Sequence, residues 1–212
     1  MNFGCLGLKC SECCKRYRIP LLPSEEKRIA KRLGLEEKEF IKKHCVAIAA
    51  LYKCGEKKDG LSLNSELLPK KAAAFAEQQF GFLPLRFLAL PYLALKRKKS
   101  GECVFLKKGK CEIHGFAPEA CSLFPAISLD SRPLKELYPF CAAMQQKGSE
   151  AKKGGLDKKQ AAKTKAYFNA VEKKGFSVQW PALPDKFLIL FEGKKELGIS
   201  KKEFLQATGP IL

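Results

Sequence analysis

The sequence predicts a mainly α-helical chain with one small β-hairpin, arranged as an irregular cysteine-rich domain. Three observations lead there. Apolar residues recur at helical spacing through much of the first hundred positions, and two β-prone runs flank a LysLysGly turn near residue 108. The ten cysteines fall in clusters rather than along an evenly spaced disulfide framework. With 212 residues, 46% of them hydrophobic, the chain can bury a core without covalent staples.

Taken in order, Ile19 to Pro23 reads as a short extended piece closed by prolines. A helix follows, capped by Ser24 and ended by Gly34. Glu25 and Glu26 suit its positive end, and Ile29, Ala30 and Leu33 share one face. A second helix is predicted from Glu36 to Tyr52, which puts Cys45 on an apolar face with Phe40, Ile41 and Ile48. Cys54 to Ser65 reads as a polar loop. Helices resume at Glu66 to Phe80 and in the apolar segment Pro84 to Arg97, where LysArgLysLysSerGly marks an exposed break.

The hairpin comes next. Gly109, third in a LysLysGly loop, suits a type I turn followed by a left-handed glycine, a pairing that sets Phe105 opposite Cys111. Cys103 and Cys111 then share a face, whereas a two-residue loop would put them on opposite faces. Pro118 opens a short helix carrying Cys121, and Pro125 closes it. Beyond Cys141 the composition is that of a linker, followed by an amphipathic helix from Lys158 to Lys174 and a small docking element with the run PheLeuIleLeuPhe. The organisation expected is therefore residues 1–145 as a cysteine-cluster domain and 146–212 as linker plus extension.

Charge and targeting narrow the classes of function. The net charge of +18 attracts polyanions, but the cations are mostly lysines scattered in pairs, so no specific nucleic-acid recognition is expected. The start of the sequence lacks a basic region leading into a long apolar run, which favours a cytoplasmic, reducing compartment. The most apolar segment, Phe82 to Leu95, is too short to span a bilayer and contains Arg86, Pro84 and Pro91. No phosphate-binding glycine loop, nucleophile elbow or HExxH helix is present. The pairs Glu25/Glu26 and Glu36/Glu37 stand in first helical turns, where they favour the helix dipole rather than acid–base chemistry.

The chemistry lies in the thiols. Clustered reduced cysteines point to metal ligation, hence to a metal-centred domain. The first motif, CxxxxCxxCC, comprises Cys5, Cys10, Cys13 and Cys14. The two-residue gap between Cys10 and Cys13 lets one tight turn present both sulfurs to one metal, whereas adjacent Cys13 and Cys14 point apart in most backbone conformations. The second motif runs from Cys103 ValPheLeu through Cys111 GluIleHis to Cys121 SerLeuPhePro, and Cys141 follows at a distance. Closed four-sulfur zinc sites would contribute on the order of 10 kcal/mol to folding. The spacing of Cys5, Cys10 and Cys13 also matches that of plant-type ferredoxins, so zinc, iron and an iron–sulfur cluster all stay open as the cofactor. The bound partner expected is a metal ion; no protein partner is legible.

These motifs resemble the YkgJ-type cysteine-cluster family over roughly residues 3 to 145. The resemblance implies chelation of zinc or iron, with Cys5, Cys10, Cys13, Cys14, Cys103, Cys111, Cys121 and Cys141 as metal ligands. Cys45 and Cys54 fall outside the pattern and are read as structural. The chain departs from the family in having His114 for a tyrosine, and Ala117 and Ser122 for arginines. A related cluster in flagellin lysine N-methylase makes a protein-modifying enzyme the alternative. The CxxxCxxC motif of radical S-adenosylmethionine enzymes is not matched, because this chain has one residue more. Of the two histidines, His44 is read as structural and His114 as a donor behind the ligands.

Overall fold

Helix α1 spans Glu12–Arg16, strand β1 Pro20–Leu21 and helix α2 Pro23–Arg32. In α2 a proline at the first helical position supplies a preset φ and loses no bond, so the helix starts one residue before Ser24. Leu22 has no side-chain acceptor to cap it. Instead the Glu25 carboxylate accepts from the Leu22 N–H at 2.8 Å, the reach-back half of a capping box. Gly34, at φ +68°, turns the chain out of the helix as expected. These features belong to a computed structural model that describes residues 11–53, 61–124, 134–145, 162–167, 169–170, 184, 186–191 and 195–208.

The contacts divide the chain into two compact units. One comprises residues 1–21 and 95–170, the other 22–94 and 171–212. The second is built on a mixed sheet, which overturns the expectation of a mainly α chain with one small hairpin. Helix α3 (Glu37–His44) stops where strand β2 (Cys45–Lys53) begins. Strand β4 (Arg86–Leu95) replaces the helix predicted there, and β3 (Leu61–Asn64) occupies part of the predicted loop. In this unit β2 lies between β4 and β7 (Lys186–Phe191), β7 also pairs with β8 (Lys195–Ser200), and β3 pairs with β4. The β2 and β7 strands run parallel, while β3/β4 and β7/β8 are antiparallel.

The physical reason for the error is burial on both faces. Residues 45–49 and Leu51 are all buried, so β2 reads as a continuous apolar run, which periodicity cannot tell from a buried helix. Cys45, 0% exposed, thus opens a central strand rather than lining a helix face. Pro91 falls past the end of the β3 ladder, whose last partner on β4 is Ala89, so its missing N–H costs no bond to β3. The apolar run Phe187 to Phe191, expected in a docking element, supplies β7 in the interior of the sheet.

Helices complete the unit. Helix α4 (Lys70–Phe80) starts after Pro69, later than Glu66, because residues 65–67 form a 3-10 turn capped by the Asn64 side chain. It ends at Gly81, φ +75°. Helix α8 (Lys201–Thr208) buries Phe204, whose ring stacks on Phe187 at 4.4 Å. Ser200 and Glu203 cap α8 reciprocally: the Glu203 N–H donates to Ser200 Oγ at 3.2 Å, and the Ser200 N–H donates to the carboxylate at 2.6 Å. Among the described residues, no helix is long and apolar enough to cross a membrane.

Candidate metal centre

The other unit carries the six described cysteines of the two motifs, Cys13, Cys14, Cys103, Cys111, Cys121 and Cys141, all as thiols. Cys13 and Cys14 are adjacent in α1, and the neighbouring Cys13 thiol together with burial holds the Cys14 thiol well above its usual pKa. Cys5 and Cys10 lie outside the described residues, as does Cys54.

Residues 96–104 double back as a tight hairpin. Arg97 bridges to Cys103, and Gly101 takes φ +83° in the turn. The Cys103 N–H donates to the Cys14 carbonyl at 2.7 Å, joining the two cysteine motifs through their backbones. Arg97 fixes the same junction. Its guanidinium donates to the carbonyls of Lys15 and Gly101, and to that of Arg16 at 3.2 Å, so one cation caps the negative end of α1 and ties it to the turn. Nothing in the motif pattern marked Arg97. We expect Arg97→Ala to cost about 1–3 kcal/mol in urea unfolding, and Arg97→Lys to recover little of it, because an ammonium cannot span three carbonyls as a planar fork does.

The predicted hairpin exists with a different turn. Strands β5 (Leu106–Lys107) and β6 (Lys110–Cys111) pair Leu106 with Cys111, leaving the two-residue loop Lys108–Gly109. Both loop residues have positive φ, +47° and +75°, as a type I′ turn requires. A straight ladder of this register would send Cys103 and Cys111 to opposite faces. A second turn intervenes: the Leu106 N–H donates to the Cys103 carbonyl at 3.0 Å, so the chain bends between Cys103 and β5.

The thiols sense one another. Burial pushes Cys111 up to about 11, assisted by the charges of Cys14 and Cys103, and opposed by the Ile113 N–H that donates to its sulfur. Burial raises Cys103 as well, with Cys14 contributing and the Phe105 N–H opposing. Each sulfur thus receives the backbone N–H two residues further on, a donor that orients it and favours its thiolate. Among the described residues, no three His, Cys, Asp or Glu close on a point where a metal ion could sit. The chemistry of the donor set fits a soft metal: buried thiols drawn from separate segments, with two sulfurs held by N–H donors.

Cys121 is half-buried in α5 (Glu119–Leu123), and Cys141, 2% exposed, follows α6 (Leu134–Leu137) and leads into α7 (Ala142–Gln145). His114 begins a 3-10 turn with its side chain exposed. A second feature absent from the motif reading is an aromatic cluster. Tyr17, Phe124, Tyr138 and Phe140 pack with ring centroids 4.9 to 6.4 Å apart, and Arg16 lies 4.6 Å from the Phe140 centroid. Burial and the neighbouring Tyr138 raise the Tyr17 hydroxyl, with smaller effects from Cys13 and Cys141. The signal was legible, since every cysteine segment contributing a ring carries it within three residues of the thiol: Cys14 and Tyr17, Cys121 and Phe124, Phe140 and Cys141.

Buried and half-buried thiols gathered from separated segments, with an aromatic cluster beside them, define a cysteine-cluster protein. The chain belongs to the CxxCxxCC family, described as a putative zinc- or iron-chelating domain, whose model matches residues 4–152. That is the cysteine-cluster family the motifs resemble. No curated protein and no solved structure gives a significant match.

Proposed function

We propose that this chain holds zinc or iron through a thiolate centre drawn from Cys5, Cys10, Cys13, Cys14, Cys103, Cys111, Cys121 and Cys141, in a structural, metal-handling or redox role. The observation that carries the reading is the backbone bond from the Cys103 N–H to the Cys14 carbonyl at 2.7 Å, which joins the two cysteine motifs, with backbone N–H groups donating to the Cys103 and Cys111 sulfurs. A bound cation would supply the positive charge that keeps buried thiols ionised, and would link segments far apart in sequence. The chain's own part is to orient the sulfurs through the Phe105 and Ile113 amides and to exclude water with the aromatic rings. No residue described here favours the methylase reading over this one.

Protein purified without oxygen is expected to carry tightly bound zinc or iron, read by elemental analysis and an absorption spectrum. Brown colour with labile sulfide assigns an iron–sulfur cluster; colourless protein with stoichiometric zinc assigns closed thiolate sites. Metal-free protein that stays fully folded rejects the proposal.

A further inference from the structure

Large apolar side chains are exposed at few described positions, and four of the five lie together. Phe82 is 54% exposed, Leu83 37%, Leu85 75% and Leu67 52%; the fifth, Tyr17, belongs to the aromatic cluster. Both the backbone N–H and the hydroxyl of Ser65 donate to the Leu85 carbonyl, at 3.1 and 3.0 Å, which brings Leu67 beside the loop that joins α4 to β4. An apolar cluster of this kind marks a binding surface rather than ordinary surface scatter.

We propose that this loop docks on an anionic membrane surface, with Phe82, Leu83, Leu85 and Leu67 entering the lipid and the chain's positive charge holding it there. Two features select this occupant. Leu85 projects with three quarters of its surface exposed, a protrusion suited to a deformable medium rather than a groove that awaits a ligand. Close to the patch in sequence, exposed Lys70, Lys71 and Arg86 are offset by Glu66, Glu77 and by Glu203, which feels the Lys71 charge, so the attraction comes from the whole chain, which carries +18. That field attracts anionic headgroups and repels a second copy of the chain.

The test is co-sedimentation of the full chain with phosphatidylcholine–phosphatidylserine vesicles, against phosphatidylcholine alone, over a salt series. The wild type is expected to bind the anionic vesicles, with a fraction resisting high salt. The double variant Phe82→Asp, Leu85→Asp should bind roughly tenfold more weakly or worse, with unchanged circular dichroism. Four results overturn the proposal: no vesicle binding, equal binding by both proteins, binding abolished entirely by salt, or concentration-dependent self-association that the double variant removes. The last would assign the patch to a second copy.

Discussion

Replacing Cys103 with Ala is expected to strip most of the metal and to destabilise the fold by several kcal/mol, on the scale of losing one thiolate from a closed site. Cys103 stands where the two motifs meet. Its N–H holds the Cys14 carbonyl, its sulfur accepts from Phe105, and its charge is felt at Cys111. Cys121→Ala follows the same expectation through the family pattern. Cys45→Ala is the contrast: it removes a small apolar group from a central strand of the other unit, so the cost should be about 1 kcal/mol with unchanged metal stoichiometry. Metal content and denaturant midpoints of the three variants beside the parent decide the assignment. Equal metal in the parent and Cys103→Ala, or a loss confined to Cys45→Ala, means the ligands are assigned wrongly.

Glu26→Gln is expected to stabilise the protein above neutral pH by a few kcal/mol. Glu26 is buried on α2, and desolvation, together with the charges of Glu37 and Glu25, pushes its pKa up to about 8 from the ordinary 4.5. Below pH 4.5 the carboxyl is protonated whether folded or unfolded and costs nothing. Between 4.5 and about 8 the unfolded chain releases its proton while the folded chain keeps it, so stability falls steadily as pH rises. Above that window the folded chain carries a buried charge and the loss is complete, on the order of 5 kcal/mol at about 1.4 kcal/mol per pH unit. The amide never ionises. Urea unfolding of the parent should therefore weaken across the window while the variant stays flatter, and identical pH profiles would refute this account of Glu26.

The cysteine motifs were legible because ligand spacing and flanking residues are local properties. The same holds for α2, whose end at Gly34 follows from backbone preference. Strands β2, β4 and β7 were not legible, because what makes them strands is a partner elsewhere in the chain. CysValAlaIleAla has no alternation to betray a sheet when both faces are buried, and PheLeuIleLeuPhe offers no clue that β2 lies beside it. The turn at Lys108–Gly109 shows a subtler limit. The glycine announced a turn, but its length depended on register, and nothing local announced the separate bend at residues 103–106.

The parallel pairing of β2 with β7 also sets an order of events during synthesis. Ile48 stands beside Leu188, so a ribosome must deliver most of the chain before the first of these strands meets its neighbour. Until then a largely apolar strand has one unfilled edge, the condition under which nascent chains recruit chaperones or stick to one another. Non-local pairing of this kind also folds slowly, since the chain between must be ordered before any bond rewards it. The Cys14–Cys103 junction needs no residue beyond the middle of the sequence. The thiol-bearing unit can therefore begin to assemble while the sheet still waits for its interior strand, and a chain ending before residue 186 would keep the junction and lose β7.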